Sequence, residues 1–181
     1  MGGVLLRLVY REQRHSNMSN NTANSVLIIG VGNEERGDDG AGLAAARLIL
    51  RQLPPFSVVE ASGEGTALIE LWRSFAGRAV YLVDATVSGR LPGSVTRFDA
   101  HHELLPLTEH GNSSHMFGVV QAIELARILD VLPPALIIYG IEGRCFELGS
   151  GLSPEVEAGA RKAAESVVTE CLTAFAAHSA D

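Results

Sequence analysis

The stretch Val26-Leu27-Ile28-Ile29-Gly30-Val31-Gly32-Asn33-Glu34-Glu35-Arg36-Gly37-Asp38-Asp39-Gly40-Ala41-Gly42 decides the fold. Its first six residues are apolar without alternation, as in a strand covered on both faces. A glycine- and aspartate-rich turn follows, and a helical period begins at about Gly40. Leu43, Ala46, Ile49 and Leu50 recur on one helix face with Arg47 and Arg51 on the other, and Pro54-Pro55 stops the helix after Gln52. Strand, tight turn and helix in that order open a βαβ unit, the building block of a parallel sheet.

The alternation continues outward from there. Phe56 to Glu60 reads as a second strand, and Ser62-Gly63-Glu64-Gly65-Thr66 is a loop into a helix over Ala67 to Ser74. Ala79-Val80-Tyr81-Leu82-Val83 is a third strand with Asp84 at its end. Ser94 to Asp99 is a fourth, and its connection to the third is too short for a helical crossover, so this pair is expected to be antiparallel. A polar, His-rich stretch from Ala100 to Ser114 leads to a helix over Phe117 to Val131, with Ser113 or Ser114 as its cap. Ala135 to Tyr139 is the fifth strand. The last helix opens at Ser153-Pro154-Glu155 and carries an apolar stripe through Val156, Ala160, Ala164, Val167, Val168, Cys171 and Phe175. The expected fold is an α/β three-layer sandwich: a mainly parallel, five-stranded twisted sheet with one antiparallel strand and helices on both faces.

Residues 25–181 form one such domain in this reading. Residues 1–24 are a disordered tail or an over-extension of the reading frame. Val4 to Val9 is too short and too interrupted by charge for a signal-peptide core, and Met18 starts a polar run that leads into the first strand. The chain of 181 residues is 46 % hydrophobic, enough for one well-filled core. With 14 basic and 21 acidic residues its formal charge is −7, and no basic cluster suits a phosphate backbone, so nucleic acid is excluded as a partner. Cys145 and Cys171 lack metal-knuckle or disulfide-framework spacing, which fits a reducing cytoplasm. No apolar run approaches the ~20 residues that cross a bilayer.

The glycine turn admits two chemistries. A dinucleotide fingerprint wants glycine where Glu35 stands, and Asp38 and Asp39 occupy the place of the phosphate. Two carboxylates at a helix N-terminus repel a nucleotide and favour a cation, or else cap the helix. Asp84 lies where open α/β sheets form ligand crevices, although a carboxylate there also serves as the cap of a turn. Asp39 and Asp84 come together if their two strands are neighbours. Of the six histidines, four cluster at His101, His102, His110 and His115, and the last of these immediately precedes an apolar helix, which can fix its direction. One imidazole and two carboxylates suit a divalent first-row metal and leave coordination positions open.

Gly30-Val31-Gly32-Asn33, Gly37-Asp38-Asp39-Gly40, Val83-Asp84-Ala85 and Ser114-His115, in this order and at these separations, resemble the nickel-iron hydrogenase maturation proteases. The resemblance runs from about Val26 into the last helix. It implies an endopeptidase that recognises nickel in a hydrogenase large-subunit precursor and removes the precursor's C-terminal extension. It also implies that Asp39, Asp84 and His115 contact the metal, with Asp39 and Asp84 as the catalytic carboxylates. The nickel is carried by the substrate, and no tightly bound metal of the protein's own is expected. Gly63, Glu64, Gly65 and Thr66 are assigned to substrate contact. Gly30, Gly32, Asn33, Gly37 and Asp38 shape the turn, with Asp38 as helix cap. The expected state is a cytoplasmic monomer. The alternative is a non-enzymatic metal- or nucleotide-binding module on the same scaffold, and the acidic pair speaks against its nucleotide form.

Overall fold

The computed structural model describes residues 7–8, 26–52, 57–75, 79–103 and 114–178, the side chains of 7–8, 114–117 and 175–178 excepted. Within it lie the strands β1 (Arg7–Leu8), β2 (Val26–Val31), β3 (Ser57–Ala61), β4 (Ala79–Thr86), β5 (Val95–Asp99) and β6 (Ala135–Glu142). The helices are α1 (Ala41–Gln52), α2 (Gly65–Ser74), α3 (Ser114–Ile128) and α4 (Pro154–His178), with a 3-10 turn over Gly37–Gly40 ahead of α1.

The strands form one sheet in the order β1-β3-β2-β4-β6-β5. β3, β2, β4 and β6 are mutually parallel, so the five expected strands and their mixed character are present. Arg7–Leu8, inside the span expected as a tail, runs antiparallel along β3, and the rest of residues 1–24 lies outside the described residues. β5 is antiparallel as expected but lies against β6, not against β4: Val95 pairs with Ile141 and Asp99 with Ile137. The connection from β4 spans the end of β6 and enters the sheet at its edge.

Two strands outrun their apolar sequences. β4 continues past Asp84 to Thr86, and β6 past Tyr139 to Glu142, because Asp84 pairs with Gly140 and Thr86 with Glu142 in unbroken register. The polar ends of both strands are buried, which an apolar-run criterion does not anticipate.

Helices cover both faces. α1 and α4 enclose one core with Ile28, Ile49, Val83, Ile141, Val156 and Val167, and α2 and α3 enclose the other with Ile29, Leu68, Trp72, Leu82, Ile123 and Ile138. The alternation of strand side chains between these two clusters is the period of two expected of a sheet buried on both sides. Burying such aliphatic side chains contributes roughly 1.5–3 kcal/mol each. Among the described residues no helix is long and apolar enough to cross a membrane.

Candidate active site

β2 is flanked by β3 on one side and β4 on the other, so the chain's progress through the sheet reverses between β2 and β4. In an open α/β sheet the carboxyl ends of such a strand pair form a natural ligand crevice. The 3-10 turn that carries Asp38 and Asp39 follows β2, and Asp84 stands on the carboxyl-terminal part of β4. The neighbouring of these strands, on which their meeting depended, is therefore observed.

Local sequence builds the turn. Gly32 adopts φ +144°, and a Cβ on it would collide with the Asp39 carbonyl oxygen. Asn33 accepts the Glu35 backbone N–H at 2.9 Å on its side-chain oxygen, the Arg36 N–H bonds to the Asn33 carbonyl, and the Asp39 N–H to the Arg36 carbonyl. Gly42, in the first turn of α1, lies directly on the Val31 and Val83 carbonyls, where any side chain would force the helix off the sheet. These glycines bring the turn down onto the ends of β2 and β4. Arg47 on α1 then clamps it from outside, bonding Glu34 of the turn at 2.7 Å and the buried Glu60 of β3 through both carboxylate oxygens.

Asp38 is not the cap of α1. Its carboxylate turns away from that helix and accepts the backbone N–H groups of Arg144 and Cys145 at 2.8 Å, that of Ser153 at 2.6 Å and the Ser153 hydroxyl at 3.1 Å. The Asp38 N–H in turn donates to the Cys145 carbonyl. Burial pushes this carboxyl up, but the hydrogen bonds from Ser153, Cys145 and Arg144 outweigh it and hold the group below the usual carboxylate range. Asp38 thus fastens the turn to the β6–α4 loop.

Asp39 and Asp84 are both buried, each at 1 % exposure. Asp84 Oδ1 accepts the Ala85 N–H at 2.8 Å, while its Oδ2 is enclosed without a hydrogen-bond partner among the described residues. Burial first, then the nearby charge of Asp39, pushes the Asp84 carboxyl up to about 8, against a smaller lowering effect of the Ala85 bond. A buried carboxylate oxygen with no donor is costly unless something positive comes to it. A cation fits both the open oxygen and the repulsion between the two acids; a phosphate fits neither.

The other expected residues divide. His115 falls in the first turn of α3, and its side chain lies outside the described residues, as does His110. The backbone of α3 does reach the right edge of the sheet: Gly118, one turn further on, abuts the Gly63 carbonyl just after β3. Gly63, Glu64, Gly65 and Thr66 occupy that same edge, with the Thr66 hydroxyl donating to Glu64 at 2.8 Å as α2 begins. His101 and His102 sit at the opposite, amino edge. There His101 bonds the Pro133 carbonyl at 2.8 Å and His102 bonds Asp99 at 2.9 Å, just before β6 starts. Sequence reasoning passed over Glu142, 3 % exposed at the carboxyl end of β6, although a carboxylate at a buried strand's end is the signal that singled out Asp84.

A sequence model of the hydrogenase maturation proteases (HycI) matches residues 46–170. The chain belongs to that family. Its match takes in Asp84 and His115 and begins after the Asp39 turn. The hydrogenase 2 maturation protease of Escherichia coli strain K12 is 27 % identical over 144 residues, covering 79 % of this chain and 88 % of the relative. Among solved structures, the maturation protease HybD of Thermococcus kodakarensis is 31 % identical, covers 81 % of this chain and 98 % of its own, and superposes with a TM-score of 0.66. The E. coli endopeptidase HybD, at 23 % identity, shares the fold with a TM-score of 0.70 over 82 % of this chain and 93 % of its own. A hydrogenase maturation protease is a peptidase.

Proposed function

We propose that this peptidase recognises nickel already placed in a nickel-iron hydrogenase large-subunit precursor and cuts off the precursor's C-terminal extension. Asp39, Asp84 and His115 contact the nickel, which arrives with the substrate and is not held by the free protein. The observation that carries this reading is the enclosed Asp84 Oδ2 beside Asp39, in a setting that keeps Asp84 protonated near neutral pH until a cation compensates. Such a site responds to a metal ion and is quiet without one.

Peptide hydrolysis requires a water made nucleophilic and a charge sink for the tetrahedral oxyanion. The substrate's metal supplies the sink. Asp39 is the general base in this scheme, taking the proton of the attacking water, and Asp84 holds the ion. The Gly63–Thr66 loop, on the same edge of the sheet, contacts the extension. This reading places the reaction in the cytoplasm, and a monomer suffices because every residue invoked comes from one chain.

The test is incubation with nickel-loaded and nickel-free precursor, followed by mass measurement of the product's C-terminus. Shortening of the loaded precursor alone is expected. Equal cleavage of both, or cleavage of neither, contradicts the reading. Nanomolar zinc retained by the purified protein would contradict its borrowed-metal element.

A further inference from the structure

An outermost strand presents a row of unpaired N–H and C=O groups to which another chain can pair, and folded proteins protect such edges. At one side of the sheet β5 protects itself: none of its five residues is buried, and Arg97 and Asp99 put charge on it. β3, at the other side, has no such defence. Ser57-Val58-Val59-Glu60-Ala61 carries no lysine or proline, and four of its five residues are buried. Its register with β2 runs unbroken from Leu27 opposite Ser57 to Val31 opposite Ala61, so no bulge turns the edge away. Its single charge, Glu60, is taken up by the Arg47 guanidinium through both carboxylate oxygens. Two adjacent valines favour further pairing.

What lies on that edge is β1. Arg7 stands opposite Glu60 and Leu8 opposite Val59, antiparallel. This is the centre of the edge, and any further strand has to displace it.

The strand that fits the bare edge is β3 itself. A two-fold contact between copies sets identical strands antiparallel, the sense in which β1 already runs. Centred on Val59, such a contact places Val59 on its own copy, Val58 opposite Glu60 and Ser57 opposite Ala61, with no like charges facing. The start of one copy's β3 would then stand beside the other copy's Ala61, just before the Gly63–Thr66 loop.

We propose that β1 guards the outer edge of β3: by occupying Val59 and Glu60 it excludes a second copy of this chain, keeps the protein monomeric and leaves the Gly63–Thr66 loop uncrowded. The inference does not depend on the cleavage reading, since it concerns the sheet edge and not the reaction.

The test is the mass of the full chain by light scattering across a concentration series, with melting temperatures measured alongside. Wild type is expected to stay monomeric. Arg7→Pro/Leu8→Pro removes both N–H groups of β1, whichever of them faces β3, and is expected to reach about twice the wild-type mass at the upper concentrations, the closed dimer of a two-fold contact. Adding Ser57→Lys, a charge on the edge strand opposite Ala61, should return the variant to a monomer. Should the proline pair fail to fold, Arg7→Gly/Leu8→Gly, which only weakens the strand, is expected to move the mass in the same direction by less. A dimeric wild type, a folded proline or glycine variant that stays monomeric, a dimer that Ser57→Lys leaves intact, or open-ended aggregates in place of a dimer would each overturn the inference.

Discussion

Asp39 and Asp84, brought together from the turn after β2 and from the body of β4, lie close enough that the charge of one raises the proton affinity of the other. Each is buried. Asp39→Asn and Asp84→Asn keep the shape of the site and remove the charge that attracts a cation. Both are expected to lower kcat/KM on nickel-loaded precursor by about a hundredfold or more, the scale of losing one electrostatic stabiliser from an enclosed site. Mass spectrometry of the processed C-terminus over time reads this directly.

The same pair gives the metal-free protein a distinctive pH dependence. Asp84 titrates near 8 in the folded chain and near 3.8, its ordinary value, in the unfolded one. Between these values the folded state binds the extra proton, so unfolding free energy falls as pH rises from about 4 to about 8. Asp84→Asn removes that slope. The variant is expected to melt several degrees above the wild-type chain at pH 8, with the gap closing toward pH 4. A variant less stable than wild type at pH 8 would show that the carboxyl is not destabilised by burial.

Asp38→Asn has a different expected cost. An amide can accept on one side only and would point N–H against N–H among the donors of Arg144, Cys145 and Ser153. Leaving such buried donors unsatisfied costs roughly 1–3 kcal/mol. Chemical denaturation should show that loss at neutral pH, together with reduced cleavage, because the turn that carries Asp39 loses its fastening.

His101→Ala and His102→Ala should leave kcat/KM within about tenfold, a barrier change of ~1.4 kcal/mol. Their side chains are tied to Pro133 and Asp99 at the amino edge of the sheet, opposite the acid pair. His115→Ala, by contrast, is expected to behave like the two aspartate variants.

What could be read from the sequence depended on whether the signal was local. The strand-turn-helix at 26–52 carries its own periodicity and its own stop, and the structure reproduces it within a residue. Pairing partners carry no such mark. The shortness of the connection from β4 showed that β5 must run backward, but nothing local says that it crosses β6 before pairing. Asp38 looked like a helix cap because a cap is what an aspartate ahead of a helix does with nearby atoms. Its real partners lie more than a hundred positions away. Glu142 carries the same strand-end signal as Asp84, but that glutamate after Ile141 gains its meaning only with Thr86 opposite it.

Those long separations bear on when the protein becomes competent during its own synthesis. The segment holding Arg144, Cys145 and Ser153 is made more than a hundred residues after Asp38, and closing so long a loop is entropically costly until β6 is in place. The turn that carries Asp39 therefore takes its final shape only after the residues from Arg144 to Ser153, at the threshold of α4, have been made.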